Sequence, residues 1–147
     1  MDDTIQYLNT DLELTSPDDL TALTAALLAQ GMYSLYGPAQ NQDGLWYAWF
    51  ELECDNQEPE PTISRIVSIV ESLDAPLRDG WNRCTIREFN LGYDCGSKPW
   101  AFNQALSADL LARMAAVGAS LRLTLYPPER VDDGEASKRV TSDGGDA

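Results

Sequence analysis

The chain has no histidine among its 147 residues, and only 10 Lys and Arg stand against 24 Asp and Glu. The first absence removes the base of Ser-His-Asp and Cys-His arrangements and the commonest zinc ligand. The second leaves a net charge of -14, a field that repels phosphate backbones and anionic lipid surfaces, so neither nucleic acid nor membrane is expected as a partner. Cysteine is sparse. Cys54, Cys84 and Cys95 form an odd set without CxxC spacing, and no metal site, cofactor site or disulfide framework is predicted from them. Cys84 and Cys95 also bracket a strand-like run that would hold their thiols roughly 30 Å apart, beyond disulfide reach. No stretch approaches the roughly 18 to 20 apolar residues that span a bilayer. Met1-Asp2-Asp3 is acidic where a secretory signal would be basic, and a cytoplasmic location is the expectation.

What the chain does have is enough apolar material, 44%, for one core of ordinary size. Residues 129–147 are polar and almost free of large apolar side chains, and are expected to form a disordered acidic tail after a single domain at 1–128. That tail holds 6 acids and 3 bases, which leaves 18 acids and 7 bases, a net charge of -11, in residues 1–128. The acidity therefore belongs to the domain.

Alternation over residues 5–14 predicts a strand with Leu8, Leu12 and Leu14 on one side and Tyr7, Asn9, Asp11 and Glu13 on the other. Ser16-Pro17-Asp18-Asp19 then reads as a helix start, with Leu20, Leu23, Leu27 and Leu28 as the apolar stripe and Gly31 as the stop. Residues 32–36 read as a short strand and 45–54 as the clearest one, with Trp46, Ala48, Phe50, Leu52 and Cys54 inward. Ile63, Ile66, Val67, Val70 and Leu73 mark a second helix that Pro76 ends. Residues 85–93 read as a fourth strand, and residues 94–106 as an ordered loop. Ser107 caps a third helix through Leu110, Leu111, Met114 and Val117 to Gly118, and Leu121, Leu123 and Leu125 alternate in a last strand before Pro127-Pro128.

The order β-α-β-β-α-β-α-β predicts an α+β open-faced sandwich: one mostly antiparallel or mixed sheet, helices on one face, related to ferredoxin-like arrangements. The closing pattern, Leu106-Ser107-Ala108-Asp109-Leu110-Leu111 through Gly118-Ala119-Ser120-Leu121-Arg122-Leu123-Thr124-Leu125-Tyr126, is similar to that of a group of small bacterial domains of unknown function with the same element order. This resemblance implies the fold and carries no catalytic residues with it.

Catalytic groups are poorly provided. Cys95 near Lys98 is a thiol in a loop without an imidazole to activate it, and Glu51 with Glu53 show the spacing of any solvated strand face as well as that of an acid/base pair. Gly92 and Gly96 frame a glycine loop that runs into Ser97-Lys98-Pro99-Trp100 instead of opening a helix, which rejects a phosphate cradle. The protein is not expected to be an enzyme.

The alternation assigns to the outer sheet face Tyr7, Asp11, Glu13, Tyr47, Trp49, Glu51, Glu53, Glu88, Asn90, Arg122 and Tyr126. RNA-binding sheets also combine exposed aromatics with charge, but theirs is basic; an acidic aromatic face suits a basic protein partner. A bacterial immunity protein that neutralises a nuclease-type toxin is the most concrete form of that expectation. Two other readings stand beside it. In one, a small-molecule binder or enzyme has a pocket at residues 94–104 lined by Arg87, Asp94, Lys98 and Trp100. In the other, the aromatic face pairs with a second copy in a homodimer, against the repulsion of its acids. For the tail, a chain ending at Pro128 is expected to keep the melting temperature of the full chain and its partner binding, apart from a modest loss of association rate; thermal denaturation and binding kinetics of the truncated form check this.

Overall fold

From Asn9 to Leu14, every second residue is an acid or amide and every other one is buried, and the remaining elements are arranged around the strand that holds them. The computed structural model describes residues 3–53 and 58–128. Expectations for Cys54 and for the tail at 129–147 lie outside the described residues. The elements are β1 (Gln6–Ser16), α1 (Thr21–Ala29), β2 (Met32–Gln40), β3 (Trp46–Leu52), α2 (Pro59–Glu71), α3 (Ala75–Arg83), β4 (Ile86–Asp94), α4 (Ala108–Ala116) and β5 (Ser120–Tyr126). They form one open, mixed sheet in the order β2-β3-β1-β4-β5. The first four strands are antiparallel to their neighbours, and β5 runs parallel to β4. This is the split β-α-β pattern used twice, since β1 and β2 flank β3 while β3 and β4 flank β1, with α4 and β5 added as one further crossover.

The core lies on one face of the sheet. Leu12 and Leu14 of β1, Ala48 and Phe50 of β3, and Phe89 and Leu91 of β4 are fully buried there against Leu27 of α1, Ile63, Ile66, Val67 and Val70 of α2, and Trp81 of α3. The open-faced α+β reading of the sequence is what the chain adopts. Among the described residues no helix is long and apolar enough to cross a membrane.

Four differences from the sequence reading concern the bounds and packing of the elements. β1 continues through Ser16, which is fully buried and paired with Trp46, so Ser16 is a strand residue and α1 begins only at Thr21. The Ser16 hydroxyl instead accepts from the Asp18 N–H, and Asp19 accepts from the Thr21 N–H at 2.7 Å. Leu28 is largely exposed, and the buried positions of α1 are Leu23, Thr24 and Leu27. Pro76 does not end a helix but opens one: Asp74 caps α3 by accepting from the Leu77 N–H, and the proline sits in the first turn, where no N–H is needed. β2 also runs past Tyr36 to Gln40, because register shifts between Ser34 and Tyr36 and between Tyr36 and Ala39 let it follow β3.

Helix α3 is fastened by two donors. The buried Trp81 indole N–H donates to the Val117 carbonyl at 2.8 Å, closing the end of α4 onto α3. Arg87 on β4 donates to the carbonyls of Trp81, Asn82, Cys84 and Gly118, so one guanidinium occupies the carbonyl-rich ends of two helices. Gly118 takes φ +73°, and a Cβ there would strike the Arg87 guanidinium. Trp81→Phe keeps most of the apolar bulk but leaves the Val117 carbonyl without its donor. A loss of about 1–3 kcal/mol in urea unfolding, followed by far-UV circular dichroism, is expected.

Candidate functional site

On the face opposite the helices, β1 presents Asn9, Asp11 and Glu13. Asp11 pairs with Asn90, Glu13 pairs with Glu88 on β4 and with Trp49 on β3, and Glu51 follows two residues along β3. Four carboxyl groups thus meet on three adjacent strands. Like charges directly across a ladder oppose folding, and little opposes them here: the one ion pair on this face among the described residues joins Arg122 of β5 to Glu88 at 2.8 Å.

Neutral donors orient Glu13 and Glu51. Asn9 Nδ2 donates to Glu51 Oε2 at 3.1 Å and the Tyr33 hydroxyl to Glu51 Oε1 at 2.7 Å. Asn90 Nδ2 donates to Glu13 Oε2 at 3.2 Å, and Thr124 Oγ1 donates to Asn90 Oδ1 at 2.6 Å. These bonds fix positions without cancelling charge. Asp11 is half-buried between Glu13 and Glu51, and its Oδ1 meets neither water nor a hydrogen-bond donor among the described residues. Burial, then the hydrogen bond and negative charge of Glu51, then the charge of Glu13, push the Asp11 carboxyl up to about 7.

Aromatic rings border the acids on the β2 side. The Tyr36 and Trp49 rings lie 4.9 Å apart at 37°, and the Tyr47 hydroxyl donates to Asp43 Oδ2 at 2.5 Å. Trp49 is 41% exposed and Tyr36 39%, so these are held rings that still face solvent. On the other side Tyr126 is exposed opposite Asp94, with its ring edge over Gly92. Gly92 is the position where a Cβ would strike Asn9 Oδ1, so the lack of a side chain admits the Asn9 amide that holds Glu51.

Of the residues predicted for this face, Asp11, Glu13, Tyr47, Trp49, Glu51, Glu88, Arg122 and Tyr126 are on it. Glu53 is exposed just past the end of β3, where its N–H donates to the Gly31 carbonyl, and its side chain joins none of the bonds just described. Tyr7 is not on the face. A register shift between Tyr7 and Asn9 turns it to the helix side, where its ring lies 5.7 Å from that of Tyr93 and its hydroxyl bonds the Thr10 hydroxyl. The extra residue is Leu8, which is left 47% exposed in place of its predicted burial. Tyr33 and Tyr36 are the residues that sequence reasoning missed. They stand three apart and would alternate to opposite faces, but the irregularity after Ser34 brings both to the acidic side.

The pocket expected at residues 94–104 is not assembled from its proposed residues. Arg87 is engaged with the helix ends, Asp94 pairs with Gln6 and Tyr126, and Trp100 is 98% exposed. The Lys98 carbonyl accepts from the Ile5 N–H while its side chain is exposed. An open cleft of about 610 Å³ does lie beside this loop, on the helix side, but Tyr7, Glu58–Pro61 and residues 102–105 line it. Cys84 is buried, which pushes its thiol up to about 11, the condition of an inert thiol.

Comparison with protein-family models, with curated proteins and with solved structures finds no match for this chain.

The Asp11 carboxyl makes stability depend on pH in a definite direction. Its folded-state value of about 7 lies above its ordinary value of 3.8, so between these pH values the folded protein holds a proton that the unfolded chain has released. The contribution is present below about pH 4 and is lost as pH rises through 7. Asp11→Asn removes this loss. The variant is expected to gain stability over the native chain progressively from pH 4 to pH 8, reaching on the order of 1 kcal/mol once the exposed half of the side chain is discounted for screening. Denaturant titrations at several pH values measure it.

Proposed function

We propose that this chain is an acidic protein-binding module that holds a basic protein partner on its uncovered sheet face, most concretely as a bacterial immunity protein set against a nuclease-type toxin. The observation that carries the reading is the meeting of Asp11, Glu13, Glu51 and Glu88 on neighbouring strands with Arg122 as their one paired cation among the described residues. Such a face costs folding stability, and a guanidinium or ammonium group laid across it would relieve the repulsion. Because Asn9, Tyr33 and Asn90 already hold Glu51 and Glu13, little ordering of these two side chains would remain to be done on binding. The domain charge would speed encounter, and Trp49, its ring held against the tilted ring of Tyr36, would supply the apolar anchor and a surface for cation–π contact. A basic nuclease has the surface chemistry this face would take, since its own substrate site must attract phosphate.

Affinity capture with the full chain at low salt, followed by measurement of association and dissociation with the protein recovered, tests the reading. The expected partner is basic, its association rate falls steeply with added salt, and Trp49→Ala or a Glu13→Gln/Glu51→Gln pair weakens binding by roughly tenfold or more. Recovery of acidic or neutral proteins only, or a basic partner bound equally by the native and substituted forms, would overturn it.

A further inference from the structure

The two edges of the sheet are built differently. At one edge β2 contains Pro38, which has no N–H, and two register shifts against β3; both features blunt an edge against strand addition. At the other edge β5 is regular over Ser120–Tyr126, without proline or register shift, and pairs residue by residue with β4. The Cys95 N–H donates to the Tyr126 carbonyl at 2.9 Å, which turns the backbone groups of Tyr126, and by alternation those of Thr124, Arg122 and Ser120, toward β4. The N–H and C=O groups of Leu121, Leu123 and Leu125 therefore point outward, and no described residue bonds them.

The same three residues carry exposed apolar side chains. In register with the buried Phe89, Leu91 and Tyr93 they lie on the helix side of the sheet, yet Leu121, Leu123 and Leu125 are 40%, 56% and 63% exposed. Leu111 of α4, 46% exposed, extends this strip: Arg113 reaches α2 through Ser64, Ser68 and Glu71, and Leu111 stands about 160° around the helix from it, on the flank away from α2.

We propose that β5 is the seam of a homodimer, pairing antiparallel with β5 of a second copy about a two-fold axis at Leu123. The occupant follows from the symmetry of the strand. With Leu123 opposite its own mate, Leu121 meets Leu125 of the second copy and all six outward backbone groups of each protomer find partners, forming six hydrogen bonds. Arg122 then faces Thr124, whereas a slip of two residues that sets Arg122 against Arg122 would place like charges directly opposite. Charge also permits a second copy here and opposes one on the acidic face. β5 carries no acid, and its single cation is already paired with Glu88. The two β4 strands would stand three strand spacings, roughly 14 Å, apart, beyond the screening length of about 8–10 Å. On the helix side the four leucines of each protomer close on one another, extending the seam toward the roughly 1,000 Å² that a specific interface needs. The acidic faces stay open, side by side on a continuous ten-strand sheet.

Sedimentation velocity of the full chain over a micromolar concentration range is expected to show the dimer mass, retained by Trp49→Ala and lost in Leu123→Lys with an unchanged far-UV spectrum. A chain that stays monomeric throughout, or a folded Leu123→Lys that stays dimeric, overturns the proposal. Should Leu123→Lys fail to fold, cysteine pairing decides: mild oxidation is expected to cross-link Leu123→Cys across the two-fold axis and to leave Leu121→Cys, four residues from its own mate, uncross-linked. Cross-linking through position 121 and not 123, or through neither, overturns the seam.

Discussion

Strand β1 is bonded on both sides, to β3 and to β4, and its two-residue period is the constraint on which the rest depends. Thr10, Leu12 and Leu14 face the helices while Asn9, Asp11 and Glu13 face away. A slip of one residue would carry two carboxylates into a core closed by Leu27, Ile66 and Trp81, at a cost no neighbouring cation offsets. The register of β1 is thereby fixed by burial, and β3 and β4 inherit it through their ladders. Both crossovers of the split pattern pass over this strand or its neighbour, so the helices lie on its apolar side.

The acidic face is a consequence of that arrangement and also works against it. Strands that each place acids outward are made neighbours by the topology, and Asp11 shows the consequence: burial first, then the hydrogen bond and charge of Glu51 and the charge of Glu13, push its carboxyl up to about 7. An ordinary solvated face would scatter cations among the acids. This one uses amides and hydroxyls, from Asn9, Tyr33, Asn90 and Thr124, which satisfy lone pairs and leave the charge in place. Fixed geometry with little compensating cation on the same face is the feature on which the proposed binding role rests.

The α4–β5 unit stands apart from this. It completes the core through Leu110, Met114 and Val117 and through the bond from Trp81 to Val117, yet its strand leaves three leucines uncovered at an edge that β2, at the far side, protects with Pro38 and broken register. One domain therefore carries two surfaces of opposite character, an acidic sheet face and an apolar, acid-free edge.

The element order apart from α3, the acidic side of β1 and β3, and the Ser107 cap and Gly118 stop of α4 were legible in the sequence, because each is set by residues close in the chain: a two-residue alternation, a capping side chain, a glycine at positive φ. Most of the candidate face could be read for the same reason. What could not be read depends on pairing. The extra residue at Leu8 that turns Tyr7 inward, and the irregularity that brings Tyr33 and Tyr36 to one face, arise where a strand must match its neighbour over its whole length. The burial of Ser16 comes from a ladder with β3, and the engagement of Arg87 from helix ends distant in the chain. Local sequence thus determined which residues are apolar, which are acidic and with what period they recur. Only the tertiary structure decided which acids meet, since the strands that bring them together are joined through space and not through the chain.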